Sequence, residues 1–170
     1  IFQGGIPCFD KDIEKFLPVR LDKPLELNDI LDFCWNDGSL YLVTSQGLFE
    51  SSIVRKTEGK HDFVLCLLNP EHEVRGKIAH LCSDGKTNLY FSVNQRKVVH
   101  HDLVAKKTSL IKEYSVVNRL FLRYGYLWIC RLWDDIICYD LKTTEERVIS
   151  MEGEDQSEFS NSYVTDLVLK

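Results

Sequence analysis

The sequence predicts an all-β fold: a β-propeller fragment with about three complete four-stranded antiparallel blades and two partial ones. Three observations lead there. Short apolar or alternating runs bounded by turn residues fill the chain, and helical periodicity is nearly absent. A phrase recurs four times, an apolar strand ending in an aromatic and an acid. Its clear copies are Gly5-Ile6-Pro7-Cys8-Phe9-Asp10 and Asp135-Ile136-Ile137-Cys138-Tyr139-Asp140; its looser copies start at Gly47 and Lys97. The starts lie 42, 50 and 38 residues apart, a spacing typical of stacked or radial repeats. Finally, an aromatic follows a leucine at one place in three successive repeats: Leu40-Tyr41, Leu89-Tyr90 and Leu127-Trp128.

In the first complete repeat, Ile30 to Trp35 reads as a strand. Asn36-Asp37-Gly38 reads as a hairpin turn, because these residues tolerate the positive φ that tight hairpins need. Leu40 to Thr44, Leu48 to Ile53 and Phe63 to Leu68 follow as strands. Four antiparallel strands in roughly 40 residues is the size of one propeller blade. The second repeat has strands at Ile78 to Cys82, Leu89 to Val93, Val98 to Asp102 and Thr108 to Lys112, with turns at Ser83-Asp84-Gly85 and Asn94 to Arg96. The third has Val117 to Leu122, Leu127 to Leu132, Ile136 to Tyr139 and Arg147 to Ser150, with turns at Tyr124-Gly125 and Trp133-Asp134-Asp135. The periodic aromatics Tyr41, Tyr90 and Trp128 are expected to pack between neighbouring blades.

The ends read as partial blades. Residues 1 to about 24 supply an outer half, with Phe16 to Val19 as its last strand, and Tyr163 to Leu169 supplies an inner strand. The blades thus fall at about 1–24, 28–70, 76–112, 117–150 and 161–170 of a single propeller domain over 1–170. Glu152 to Ser162 reads as a loop between repeats. The chain starts at Ile1 inside one repeat and stops at Lys170 inside another, which reads as a piece of a longer protein. The two remnants either pair and close a ring of four blades or belong to an open arc of a larger ring.

At 170 residues, 44% of them apolar, the chain can bury a sizeable core in one domain. Its net charge is −5 with acids and bases interspersed. The basic clusters Arg96-Lys97 and Lys106-Lys107 are too short for a nucleic-acid stripe, so no direct nucleic-acid contact is expected. No apolar stretch reaches the ~18 residues that a spanning helix needs, so a membrane would be met only through segments outside this chain. None of the six cysteines forms a C-x-x-C pair, and most sit among strand-like apolar residues, where a thiol acts as a small hydrophobe. Cys130 and Cys138 flank one turn and are spaced to face each other across a hairpin; the spacing leaves a disulfide there open.

Taken together, the repeats resemble the regulator-propeller repeat found in periplasmic sensor domains of Bacteroides-type hybrid two-component systems. That repeat reads roughly N-x-V-x-x-I-x-x-D-x-x-G-x-L-W-I-G-T-x-x-G-L-x-x-Y-D. Asn28-Asp29-Ile30, Asp37-Gly38, Leu40-Tyr41-Leu42-Val43-Thr44 and Gly47-Leu48 follow it, as do Val117-Asn118-Arg119-Leu120, Leu127-Trp128-Ile129 and Tyr139-Asp140. Asn161 to Leu167 resembles a blade opening, and Gly4-Gly5-Ile6 with Phe9-Asp10 and Phe16 a blade ending. Two departures stand out. The G-T pair survives only as Val43-Thr44, and Lys97-Val98 replaces the second G-L. The resemblance implies a non-catalytic periplasmic sensor segment with no cofactor that binds an oligosaccharide or other small-molecule signal. It implies a longer protein that is dimeric, with a β-sandwich, a membrane helix and a histidine kinase beyond this chain. The strand-then-acid ending is shared by WD40-type repeats, so a cytoplasmic protein-interaction scaffold is the alternative.

The residues offer no convincing catalytic set. His100 and His101 are adjacent on an alternating strand, so they should point to opposite faces and cannot share one metal ion. Ser39, Ser45 and Ser92 lack a recognisable His and acid, and Gly4-Gly5 precedes no helix. Asp37-Gly38 and Asp84-Gly85 are turn chemistry. Sugar recognition needs an aromatic platform with carboxylates or amides nearby. Trp133, Asp134 and Asp135 in one turn, Trp35 before another, Tyr124 and Tyr126 around Gly125, and Arg131 are the candidate ligand-binding residues. Which of these turns share one face depends on strand parity.

Overall fold

Hairpins with turns at Asn, Asp and Gly build the molecule. The structure is a computed structural model that describes residues 6–10, 15–19, 30–44, 47–55, 61–67, 76–132 and 135–149. Among these residues, every regular element is a strand and no helix is long and apolar enough to cross a membrane. Strands β1 (Ile6–Asp10) and β2 (Lys15–Val19) pair antiparallel. A first four-stranded sheet holds β3 (Ile30–Asn36), β4 (Ser39–Thr44), β5 (Gly47–Arg55) and β6 (His61–Leu67) in chain order. A second holds β7 (Ile78–Ser83), β8 (Asn88–Val93), β9 (Lys97–Asp102) and β10 (Lys107–Glu113). A third holds β11 (Val117–Arg123), β12 (Tyr126–Arg131), β13 (Ile136–Asp140) and β14 (Glu146–Ile149). These sheets are three propeller blades. Their first strands lie side by side, with β7 packed against both β3 and β11.

The β5–β6 hairpin runs further than the apolar pattern suggests. Pairing continues to Arg55↔His61, beyond the expected ends at Ile53 and Phe63, because a ladder of backbone hydrogen bonds needs no apolar side chain. The segments 150–170 and 20–29, and the side chains of the first two strands, lie outside the described residues.

Three turns explain the register. Asp37 and Gly38 (φ 42° and 79°), Asn94 and Gln95 (52° and 54°), and Tyr124 and Gly125 (54° and 80°) all sit at positive φ. Such residue pairs match type I′ turns, whose twist suits the flanking strands. The acid that closes the recurring phrase is a turn cap. Asp102 Oδ1 accepts the N–H groups of Val104 and Ala105, both at 2.8 Å. Asp140 Oδ1 accepts those of Lys142 at 2.7 Å and Thr143 at 3.1 Å. These bonds, Ala105 foremost at Asp102 and Thr143 foremost at Asp140, hold both carboxyls below their usual range.

The core lies between blades. Tyr41, Val43 and Leu48 of the first blade meet Ile78, Leu81, Leu89, Phe91, Val93 and Val99 of the second. Tyr90 and Val98 of the second meet Val117, Leu120, Leu127, Ile129 and Ile137 of the third. The second blade's β8 therefore buries both faces, which is why it reads as a nearly continuous apolar run. Tyr41 and Tyr90 pack toward the following blade, as their periodicity predicts. Trp128 lies in the same phase, on the face of the third blade turned away from the second. The residue paired across from this aromatic differs each time. Glu50 accepts the Tyr41 hydroxyl at 2.8 Å; His100 stacks on Tyr90 with centroids 5.2 Å apart; Cys138 lies opposite Trp128. On the other side of the first blade, Phe33 and Trp35 are 65% and 52% exposed.

All three inner strands carry the same irregularity. Pairing skips one residue between Ile30 and Asp32, between Ala79 and Leu81, and between Val117 and Arg119. A bulge of this kind leaves a backbone group outside the ladder. Asp32 bridges all three strands there. Its Oδ1 accepts the Phe33 N–H at 2.9 Å and its Oδ2 the Leu81 N–H at 2.8 Å, while Arg119 Nη1 lies 3.5 Å from Oδ2.

Two outcomes follow. Asp32→Ala strands the buried Leu81 N–H and leaves Arg119 without its carboxylate. It should lower unfolding free energy by about 2–3 kcal/mol, read from the urea midpoint. The second concerns His80, His100 and His101, whose pKa values are all lowered, chiefly by burial. Below the ordinary histidine value of about 6.5, the unfolded chain takes up protons that the folded chain refuses. Stability should therefore fall as pH drops from 7.5 to 5.5. A urea midpoint independent of pH across this window would contradict this.

Candidate functional site

The strand directions give the blades two ends. At the entry end, β3, β7 and β11 begin and the β8–β9 and β12–β13 connections turn. At the exit end, the inner strands finish. Cross-blade bonds fix the alignment. At the entry end, the Val117 N–H donates to Gln95 O at 2.7 Å. At the exit end, Asn36 Nδ2 donates to Lys86 O at 2.7 Å and Ser83 Oγ to Trp35 O at 2.9 Å.

The candidate residues from the sequence divide between these ends. Arg131 and Asp135 lie at the entry end and are partly buried. Arg131 Nε donates to Asp135 O at 3.2 Å, and its Nη2 lies 3.9 Å from Asp135 Oδ2. Trp133 and Asp134, in the same connection, lie outside the described residues. Trp35, Tyr124 and Tyr126 lie at the exit end, where Tyr124 is 80% exposed at the turn tip. Trp35 and Tyr124 therefore do not share one rim with Arg131 and Asp135.

The entry end also holds a cavity of about 400 Å³ that sequence reasoning missed, lined by Leu31, Lys77, Ala79, His80, Asn94 and Gln95. Leu31 and His80 are the residues skipped by the bulges of β3 and β7. His80 adopts φ 50°, a costly conformation for a residue other than glycine. Its Nε2 is buried without a hydrogen-bond partner. Burial lowers the His80 pKa; Asp32 opposes the shift and Arg119 adds to it, so the ring is neutral at pH 7. Asn94 is braced against the start of β7. Its N–H donates to Lys77 O at 2.7 Å, and its Oδ1 accepts the Lys77 N–H at 2.9 Å. Gly76, at φ 153°, makes this possible, because a Cβ there would meet the Asn94 amide at 2.5 Å. The sequence signal for this site was a polar residue, Asp32, His80 or Arg119, interrupting each otherwise apolar inner strand.

Other chemistry-bearing residues are engaged elsewhere. His101 Nδ1 lies 2.8 Å from Thr108 Oγ1, and His100 Nε2 lies 2.7 Å from Asn88 Oδ1, so the two rings point apart as expected. Among the described residues, no group of three His, Cys, Asp or Glu is placed to hold a metal ion. Cys34, Cys82, Cys130 and Cys138 are free thiols. Burial pushes Cys34 up to about 12 and Cys130 up to about 11, which keeps both protonated and unreactive. Cys130 lies opposite Ile136 and Cys138 opposite Trp128, so these two thiols are diagonal neighbours rather than a facing pair.

No protein-family model and no curated protein matches the chain. Solved structures do. The extracellular domain of the one-component system BT4673 of B. thetaiotaomicron aligns at TM-score 0.56 and 14% identity, over 88% of this chain and 18% of that one. The extracellular domain of the hybrid two-component system BT3049, from the same organism, aligns at TM-score 0.54 and 14% identity, over 74% and 19%. The β-propeller domain of Cps50 (Swd1) from Myceliophteria thermophila aligns at TM-score 0.52 and 14% identity, over 80% and 44%. The chain thus spans 18% and 19% of the two extracellular domains it resembles. At such identities the likeness speaks for the fold: the chain is an all-β propeller fragment.

Proposed function

We propose that this chain is a non-catalytic, ligand-binding segment of an extracytoplasmic sensor propeller and that its signal is a glycan-derived molecule. The observation that carries the proposal is the entry-end cavity of about 400 Å³, formed where two bulged inner strands meet the β8–β9 turn. That size suits a small ligand, and an apolar wall with a few placed polar groups is how such sites work. The fold shared with extracellular domains of two B. thetaiotaomicron signalling systems supports the sensor assignment. Arg131 and Asp135 lie at the same end and would extend the site toward the third blade. Trp35, Tyr124 and Tyr126, at the exit end, would serve a second surface. Dimerisation and signalling to a kinase would belong to the longer protein, in the periplasm or its equivalent.

The likeness to the Cps50 propeller domain is one of fold, and the second reading is a cytoplasmic protein-interaction scaffold. The coding sequence that follows this chain separates the two. A β-sandwich, a membrane helix and a histidine kinase fit the sensor, and helical repeats or further interaction domains fit the scaffold. Calorimetric titration with a panel of neutral and acidic oligosaccharides should give saturable heat with at least one glycan. No heat with any of them would remove the carbohydrate assignment.

A further inference from the structure

We infer that the entry-end cavity recognises a carboxylate on a small polyhydroxylated ligand, with Lys77 as the charged contact and Asn94 as a donor. The inference rests on the ligand-binding reading and narrows its chemistry. The polar groups around the cavity are unbalanced. Among the described residues, Lys77 and His80 are the titratable groups of the lining, and no carboxylate joins them. The exposed Lys77 has no acidic partner among the described residues, whereas the neighbouring Arg119 is already held by Asp32. Asn94 spends its Oδ1 on the Lys77 N–H, which leaves its exposed Nδ2 as the group that can donate to a ligand. His80 is neutral, with its Nε2 buried and unpartnered beside the cavity. Gln95, at the turn tip, adds an amide suited to a hydroxyl group.

A site with spare donors and one unpaired cation calls for an acceptor of negative charge. Leu31 and Ala79 supply the apolar wall for the ligand's C–H face. A volume of about 400 Å³ accommodates one sugar-sized unit but not an extended polyanion. Phosphate alone would leave that wall bare. A sugar acid and an open-chain hydroxy acid share the required chemistry, a carboxylate flanked by hydroxyls.

The test is calorimetric titration of the protein with D-glucuronate, D-gluconate and D-glucose at pH 7.5 and low salt. Glucuronate, gluconate or both should bind at least roughly tenfold more tightly than glucose. A ring-form preference identifies an acidic glycan end, and an open-chain preference a free hydroxy acid. Lys77→Ala should weaken the carboxylate ligand roughly tenfold and leave glucose unchanged, while Lys77→Arg should retain binding. The thermal midpoint of both variants should match the parent, since Lys77 contributes to the fold through its backbone. Equal affinity for glucose and glucuronate, or a Lys77→Ala protein that binds carboxylates undiminished, would overturn the inference. Heat from neutral oligosaccharides with silence from both acids removes the inference and leaves the sensor reading standing. Silence from every saccharide removes both.

Discussion

One carboxylate, Asp32, reaches the inner strands of all three blades. Each inner strand bulges near its start, and a bulge frees a backbone group that the sheet no longer pairs. A buried N–H without a partner costs free energy comparable to a lost hydrogen bond. Asp32 answers the second blade's need through Leu81 and balances its own charge with Arg119 of the third blade. The blades are thereby set in depth as well as in order. The position of Leu31 against His80, and so the entry-end cavity, depends on that alignment.

The interfaces divide their labour accordingly. Apolar burial between blades supplies the bulk of the attraction, with Phe91, Val93, Val98 and Val99 fully enclosed. Polar contacts at the two ends choose the register: Asn36 with Lys86 and Ser83 with Trp35 at one end, Gln95 with Val117 at the other. At the outer edge, Glu146 accepts from Lys112 Nζ and from the Tyr114 hydroxyl, both at 2.6 Å, tying the second blade to the third.

Much of the fold was legible in the sequence because its signals are local. Leu-Tyr and Leu-Trp pairs mark the second strands, and Asp-Gly or Tyr-Gly marks the hairpins that precede them. The phrase ending in Asp102 or Asp140 also reads correctly as a strand end, and the structure adds that the acid is a backbone cap. The site was far less legible. Strand alternation assigns faces by counting in twos, and one bulge in each inner strand shifts the count. Leu31 and His80 look like ordinary strand residues until that shift is known. Residue type alone does not say which turns share an end, so it groups Trp35 and Tyr124 with Arg131 and Asp135, although the strands hold them apart. His80 carried the better signal, an ionisable group inside an apolar run, but nothing local distinguishes it from His101, which is simply buried against Thr108.

Among the described residues, the two larger buried clusters lie between sheets, so the second blade shares its core with both neighbours. The face of β8 that carries Phe91 is closed by the first blade, and the face that carries Tyr90 by the third. The elementary unit of folding is then the seam between two blades, and a single sheet is only half of two such units. A change that loosens one seam alters the sheet that forms the next.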